Sequence, residues 1–243
     1  MGTILTTILT YIGAALPVLF LCWLIFYLDR YEREDYRPLG LTLLLGMLCA
    51  LPVLAIQTGV NHLGFNPQQS LGHLLLDVFI VVALNEEVAK LAVVLLYPFR
   101  RPFFNEAMDG IVYCMLASMG FALVENLLYA YNYGWSTVLV RAFTAVPAHA
   151  VFAVFMGYFV GLAKVHPQKR PKLILAGLAF ATFIHGLYDF FIFQQYQEWL
   201  MGLGFVTVIV GLYLSGLLIR DHRSHSPFQP TVEDSVKSEN RRV

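Results

Sequence analysis

An all-α, polytopic membrane fold is predicted by three features of this sequence. Its 243 residues are 58% hydrophobic and only 13% charged, where an ordinary globular domain carries about 25% charged residues. The apolar residues gather into runs that reach the ~20 residues needed to span a bilayer as a helix. Lysine and arginine fall almost wholly between alternate runs, as they do when one side of a membrane retains positive charge. The mean hydropathy is +0.65.

The first run, 4–28, is apolar throughout and lacks the basic leader of a signal peptide, so a retained span is expected. The second covers 38–60 and the third 71–97; the third carries Asn85-Glu86-Glu87-Val88-Ala89-Lys90 in its interior. The fourth, 107–131, opens on Asp109, read as a helix N-cap or early-turn acid. The fifth, 137–164, contains Pro147, which removes a backbone donor and is expected to kink it. The sixth and seventh are 171–193 and 197–219, and the seventh has no ionisable residue before Arg220, which predicts a lipid-facing scaffold. Unbroken apolar character over ~20 residues, without alternation, favours helices over a barrel.

The basic residues test this count. Arg30, Arg33 and Arg37 follow the first run; Arg100 and Arg101 follow the third; Lys164, Lys169, Arg170 and Lys172 follow the fifth. Arg220, Arg223, Lys237, Arg241 and Arg242 follow the seventh, and the other loops have none. Seven spans are therefore expected, with the N-terminus outside and the C-terminus in the cytoplasm. Residues 1–220 form the expected membrane domain and 221–243 a polar, disordered cytoplasmic tail. Tyr131, Tyr133, Trp135, Tyr196 and Trp199 mark an outer aromatic belt. The three cysteines lie in apolar runs without a C-x-x-C, so buried thiols are expected. A net charge of zero offers no electrostatic case for nucleic acid.

Ionisable residues inside such runs cost at least ~2.5 kcal/mol each on insertion scales and mark functional sites. Glu86 and Lys90 share a helix face, with Glu87 about 100° away. Lys90 can neutralise one carboxylate and leave the other as a base, although a structural ion pair explains the same spacing. Asp77, on the opposite face, reads as an interfacial or packing residue. Glu125, Asn126 and Tyr129 form a second group, with Arg141 at similar depth as a partner for Glu125. His149 follows Pro147 in the fifth span. His185 and Asp189 share a face of the sixth, so the carboxylate can orient the imidazole or meet substrate. Gly157-x-x-x-Gly161 permits close helix packing.

Taken in order, Glu86-Glu87-x-x-Lys90, Glu125-Asn126-x-x-Tyr129, Pro147-Ala148-His149-Ala150 and His185-x-x-Tyr188-Asp189-Phe190 resemble the PrsW family of intramembrane proteases. Tyr27-Leu28-Asp29-Arg30-Tyr31-Glu32 resembles that family's entry into the core, and the likeness covers about residues 15–215. A more distant similarity reaches the CAAX prenyl protease and bacteriocin-processing group. Here the chain departs from that group's pattern: Lys90 stands one position before the expected arginine, and Ala145 precedes His149 where a phenylalanine is expected.

The resemblance implies an endopeptidase in the cytoplasmic membrane of a bacterium. It further implies substrates among single-pass membrane proteins, anti-sigma factors included, cleaved on the extracytoplasmic side. The expected catalytic set is Glu86, Glu87, His149, His185 and Asp189, supported by Lys90, Glu125 and Asn126. Glu86 is the expected base, acting on a water shared with His149. A zinc site built from Glu86, His149 and His185 competes; the lack of H-E-x-x-H and the use of three separate spans weigh toward a metal-free site. Proton-coupled transport and a non-catalytic membrane scaffold are the other readings of buried charge, but no duplicated halves of the transporter kind are present.

Overall fold

The computed structural model describes residues 2–229, with side chains from Ile4 onward. Among the described residues the secondary structure is helical throughout. The helices are α1 (Gly2–Leu28), α2 (Tyr36–His62), α3 (Leu71–Leu76), α4 (Asn85–Leu96), α5 (Ala107–Tyr133), α6 (Trp135–Phe143), α7 (Ala145–Val165), α8 (Arg170–Phe193) and α9 (Met201–Ser224). Six helical stretches are long and apolar enough to cross a membrane. The remaining expected span is the unbroken run 71–96, in which a π-helical segment, Asp77–Leu84, joins α3 to α4.

The centre is α5. Its first half is buried on every side, from Met108 to Ala122, and α7 is nearly as enclosed. Small residues make this possible. A Cβ placed on Gly161 would lie 2.0 Å from the Ala107 carbonyl oxygen, and one on Gly110 would lie 2.4 Å from that of Gly157. The expected Gly157–Gly161 pair therefore brings α7 backbone against α5 backbone. Gly46 of α2 and Gly120 of α5 make the same close approach on the other flank. Outer helices present apolar side chains outward: Ile4, Leu16 and Trp23 on α1, and Ile209 and Tyr213 on α9, are more than half exposed, as a lipid-facing surface requires. The lipid-facing reading of the seventh span accords with this surface.

Two local departures from the expectation shape the interior. The fifth span is interrupted, but at Thr144 rather than Pro147. Pro147 sits in the first turn of α7, where a missing N–H leaves no helical bond unmade. In the third span, the π-helical segment ends immediately before Asn85 and Glu86. Such segments shift the helical register and cluster at functional sites.

At the end of the bundle that carries the basic loops, Asp109 behaves as expected. Its Oδ2 accepts the backbone N–H groups of Asn105 and Glu106 at 2.6 and 2.9 Å, closing a capping box with Glu106 at the N-terminus of α5. Helix α9 continues to Ser224, and the Ser226 hydroxyl donates to Glu106, so chain beyond position 220 packs on the bundle. The rest of the expected tail, from 230, lies outside the described residues.

Candidate active site

Four helices deliver the buried polar residues to one place. Glu86, Glu87 and Lys90 lie in the first turns of α4, Glu125 in α5, His149 in the second turn of α7, and His185 and Asp189 in α8. Gly186 allows this approach. A Cβ there would fall 2.4 Å from the Phe79 ring of the π-helical segment, so glycine brings α8 against the stretch that carries the two glutamates.

Lys90 is the hub. Its Nζ donates to Glu87 Oε1 at 2.8 Å and to Glu86 Oε2 at 3.2 Å, and lies 3.2 Å from His149 Nδ1. An ammonium has three hydrogens and no acceptor, so His149 Nδ1 accepts the third. Its Nε2 then carries the ring proton and donates it to Glu125 Oε2 at 2.8 Å. Arg141 completes that branch: it lies 2.9 Å from Glu125, donates to Asn126 Oδ1 at 2.7 Å, and stacks 3.9 Å over the Tyr129 ring. The expected Arg141–Glu125 pairing is thus present, with Asn126 and Tyr129 as its frame.

His185 is held between carboxylates. Its Nδ1 lies 2.8 Å from Glu87 Oε1, while Nε2 lies 3.3 Å from Asp189 Oδ2 and 4.0 Å from Glu86 Oε2. Phe152 stacks on its imidazole at 4.4 Å and sets the ring plane.

A cavity of about 460 Å³ meets this cluster. Glu86, Glu125, Tyr129, Arg141, His149, His185 and Asp189 all line it, whereas Glu87 and Lys90 stand behind the wall. The cavity reaches Pro67 and Gln68 after α2, Phe193 at the end of α8, and Met201 at the start of α9. These positions belong to the loops without lysine or arginine. Asp77 also lines the cavity, which extends its role beyond the packing expected of it.

Gln57 is a cavity residue that the sequence reading missed. Its Nε2 donates to Glu86 Oε1 at 3.3 Å from α2. The available signal was a lone amide in an apolar run. Gln68, on the turn between α2 and α3, donates to the Phe193 carbonyl at 3.2 Å and ties that turn to the end of α8.

Glu86, Glu87 and His185 place one ligand atom each within 4.8 Å of one another. Glu87 Oε2 is buried without a hydrogen-bond partner among the described residues. Among the described residues, Glu86, Glu87 and Glu125 pair with two fixed cations, Lys90 and Arg141, and Asp189 pairs with His185. Oxygen and imidazole donors, an unsatisfied oxygen and an excess of carboxylates all fit a divalent cation. The close trio contains Glu87 where the sequence suggested His149, whose two nitrogens face Lys90 and Glu125 instead.

Comparison with known proteins agrees with the sequence resemblance. Residues 34–215 match the family described as PrsW family intramembrane metalloprotease. The chain is 36% identical over 175 residues to Protease PrsW of Geobacillus kaustophilus, covering 72% of this chain and 75% of that one. It is 31% identical over 177 residues to Protease PrsW of Bacillus subtilis, covering 72% and 78%. With Protease PrsW of Clostridioides difficile it shares 28% over 203 residues, covering 81% and 84%. No solved structure matches it. A transporter or an inert scaffold does not account for this match: the chain belongs to the PrsW family and is an intramembrane protease.

Proposed function

We propose that this protease cleaves single-pass membrane proteins beside the bilayer, at the cavity formed by α4, α5, α7 and α8. The observation that carries the reading is Glu86. It is a buried carboxylate on the cavity wall, with a second carboxylate and an imidazole close by and an amide holding its free oxygen. A cavity of this size accepts a few residues of extended chain rather than a folded domain, which favours a substrate segment released from its helix. Bacterial relatives and the basic-loop pattern support a place in the cytoplasmic membrane, with the cavity toward the outside.

Peptide hydrolysis needs an activated water, a donor for the developing oxyanion and a proton for the leaving amine. Glu86, Glu87 and His185 would hold the metal that the family description implies. Such an ion, when bound, supplies a more acidic water and a polarised carbonyl. The addition of Glu87 to the donors moves the balance away from the metal-free site favoured by sequence alone.

The two oxygens of Glu86 have separate surroundings. Oε2 faces Lys90 and His185, and Oε1 faces Gln57. Oε1 takes the proton from the attacking water and returns it to the leaving nitrogen. Asp189 orients His185. The branch from His149 through Glu125 to Arg141 holds the opposite wall and keeps the His149 ring in one tautomer.

The test compares the N-termini of membrane proteins in cells making the native chain and cells making Glu86→Gln at equal abundance. Glutamine keeps the shape and removes the base. New termini beside membrane-spanning segments, present only with the native chain, are expected and name the substrate. Cleavage by Glu86→Gln at the native rate would refute the assignment.

A further inference from the structure

At the opposite end of the bundle a second cavity, of about 430 Å³, lies between the end of α1 and the end of α9. Its walls are Leu28 and Tyr31 on one side and Gly216, Ile219, Arg220 and Arg223 on the other. Among the described residues no carboxylate lines it. Arg223 Nε is buried and has no hydrogen-bond partner among the described residues. The nearest acid in sequence, Asp221, is engaged elsewhere, where its Oδ2 accepts the Tyr158 hydroxyl at 3.0 Å. A buried guanidinium donor without an acceptor is a deficit that an anion would correct.

The floor of the same cavity is apolar and runs into the lipid-facing surface. Leu28 and Ile219 are its apolar lining, and Tyr213, one turn before Gly216 on α9, and Tyr27, next to Leu28 on α1, are both exposed. Gly216 leaves the groove open, since a Cβ there would meet nothing within 4 Å. A ligand filling this site therefore needs a negative head at the arginines and an apolar body along α1 and α9. Basic pockets between spanning helices on the positively charged side recognise such molecules.

We propose that this groove binds an anionic phospholipid, with its phosphodiester on Arg220 and Arg223 and an acyl chain over Gly216. The site is independent of the hydrolytic cavity and does not rest on any role assigned to Glu86.

The full chain in a neutral detergent would be titrated with dioctanoyl phosphatidylglycerol, dioctanoyl phosphatidylcholine and inorganic phosphate, with affinity read by thermophoresis. Phosphatidylglycerol is expected to bind at least about tenfold more tightly than either control. Each arginine is expected to contribute about fivefold, so Arg220→Gln with Arg223→Gln weakens it about 25-fold. Gly216→Phe closes the groove and weakens phosphatidylglycerol while leaving the unfolding midpoint in neutral detergent unchanged. Equal affinity for phosphatidylcholine, or for inorganic phosphate, would overturn a lipid site and leave only a greasy or a free-anion contact. Native affinity in both the arginine variant and Gly216→Phe would place any lipid elsewhere.

Discussion

Lys90 is the residue on which the buried charges converge. Its three donors are all engaged, by Glu86, Glu87 and His149, and its aliphatic stem brings the ammonium 4.4 Å from the Phe121 ring centre. Removing one member of a buried ion cluster costs about 3–5 kcal/mol, because the remaining charges lose compensation without regaining water. Lys90→Met is therefore expected to unfold well below the native chain in thermal denaturation in detergent, whereas Gln57→Leu, which removes one long hydrogen bond of a neutral amide, is expected to cost about 1 kcal/mol. A Lys90→Met chain as stable as native would mean that the glutamates carry protons and need no cation. Most of this cluster was legible in the sequence, since an ionised group in an apolar run is expensive enough to demand a reason. Gln57 was not, because a neutral amide raises no such alarm. Nor could spacing foresee that Lys90 would take His149 Nδ1 and leave Glu87 in the close donor trio: that depends on which helices meet, and on side-chain rotamers.

Whole elements set the distances between those residues. The π-helical segment shifts α3 relative to α4, so Asp77 and Val82 reach the cavity together with Glu86. Composition carries no mark of this, because an extra residue per turn leaves an apolar run apolar. At the opposite end, the junction of α1 with α5 rests on a group of acids. Tyr113 donates its hydroxyl to Glu34, Asn105 Nδ2 donates to Glu32 at 3.0 Å, and Asp29 sits among Glu32, Glu34 and Glu106. Burial, and then the neighbouring carboxylates, push Asp29 up to about 7 from an ordinary 3.8. Burial also raises Glu34 and Glu106. A carboxyl raised in this way holds its proton more tightly in the folded chain than in the unfolded one. Its contribution is therefore fully favourable below about pH 4 and is lost as pH rises through 7. The thermal midpoint in neutral detergent is expected to fall between pH 5 and pH 8, and Asp29→Asn, which cannot ionise, is expected to flatten that fall. An equal slope in the variant would show that Asp29 does not carry the dependence.

At the scale of the molecule, the cavity lined by Glu86 and the basic loops occupy opposite ends of one bundle. Pro67, Gln68, Phe193 and Met201 border the cavity, while Arg30, Arg100, Lys169 and Arg223 lie at the other end. The number of helical runs and their order followed from hydropathy alone, because both depend on apolar length, which composition records directly. The lateral arrangement did not, since it follows from which glycines admit which neighbours, as Gly110, Gly157 and Gly161 do between α5 and α7. The proposed retention of the basic loops in the cytoplasm would place the cavity outside, and this orientation decides which part of a substrate can enter. Leu63→Cys, in the exposed turn after α2, is expected to react with a membrane-impermeant maleimide in intact spheroplasts. Gln168→Cys, between α7 and α8, is expected to react only after permeabilisation. The native chain serves as the control, because its own cysteines, Cys22, Cys49 and Cys114, lie within spans. The reverse labelling would turn the cavity toward the cytoplasm, so that the scissile bond would lie on the cytoplasmic flank of the substrate helix and extracytoplasmic domains would be excluded as its source.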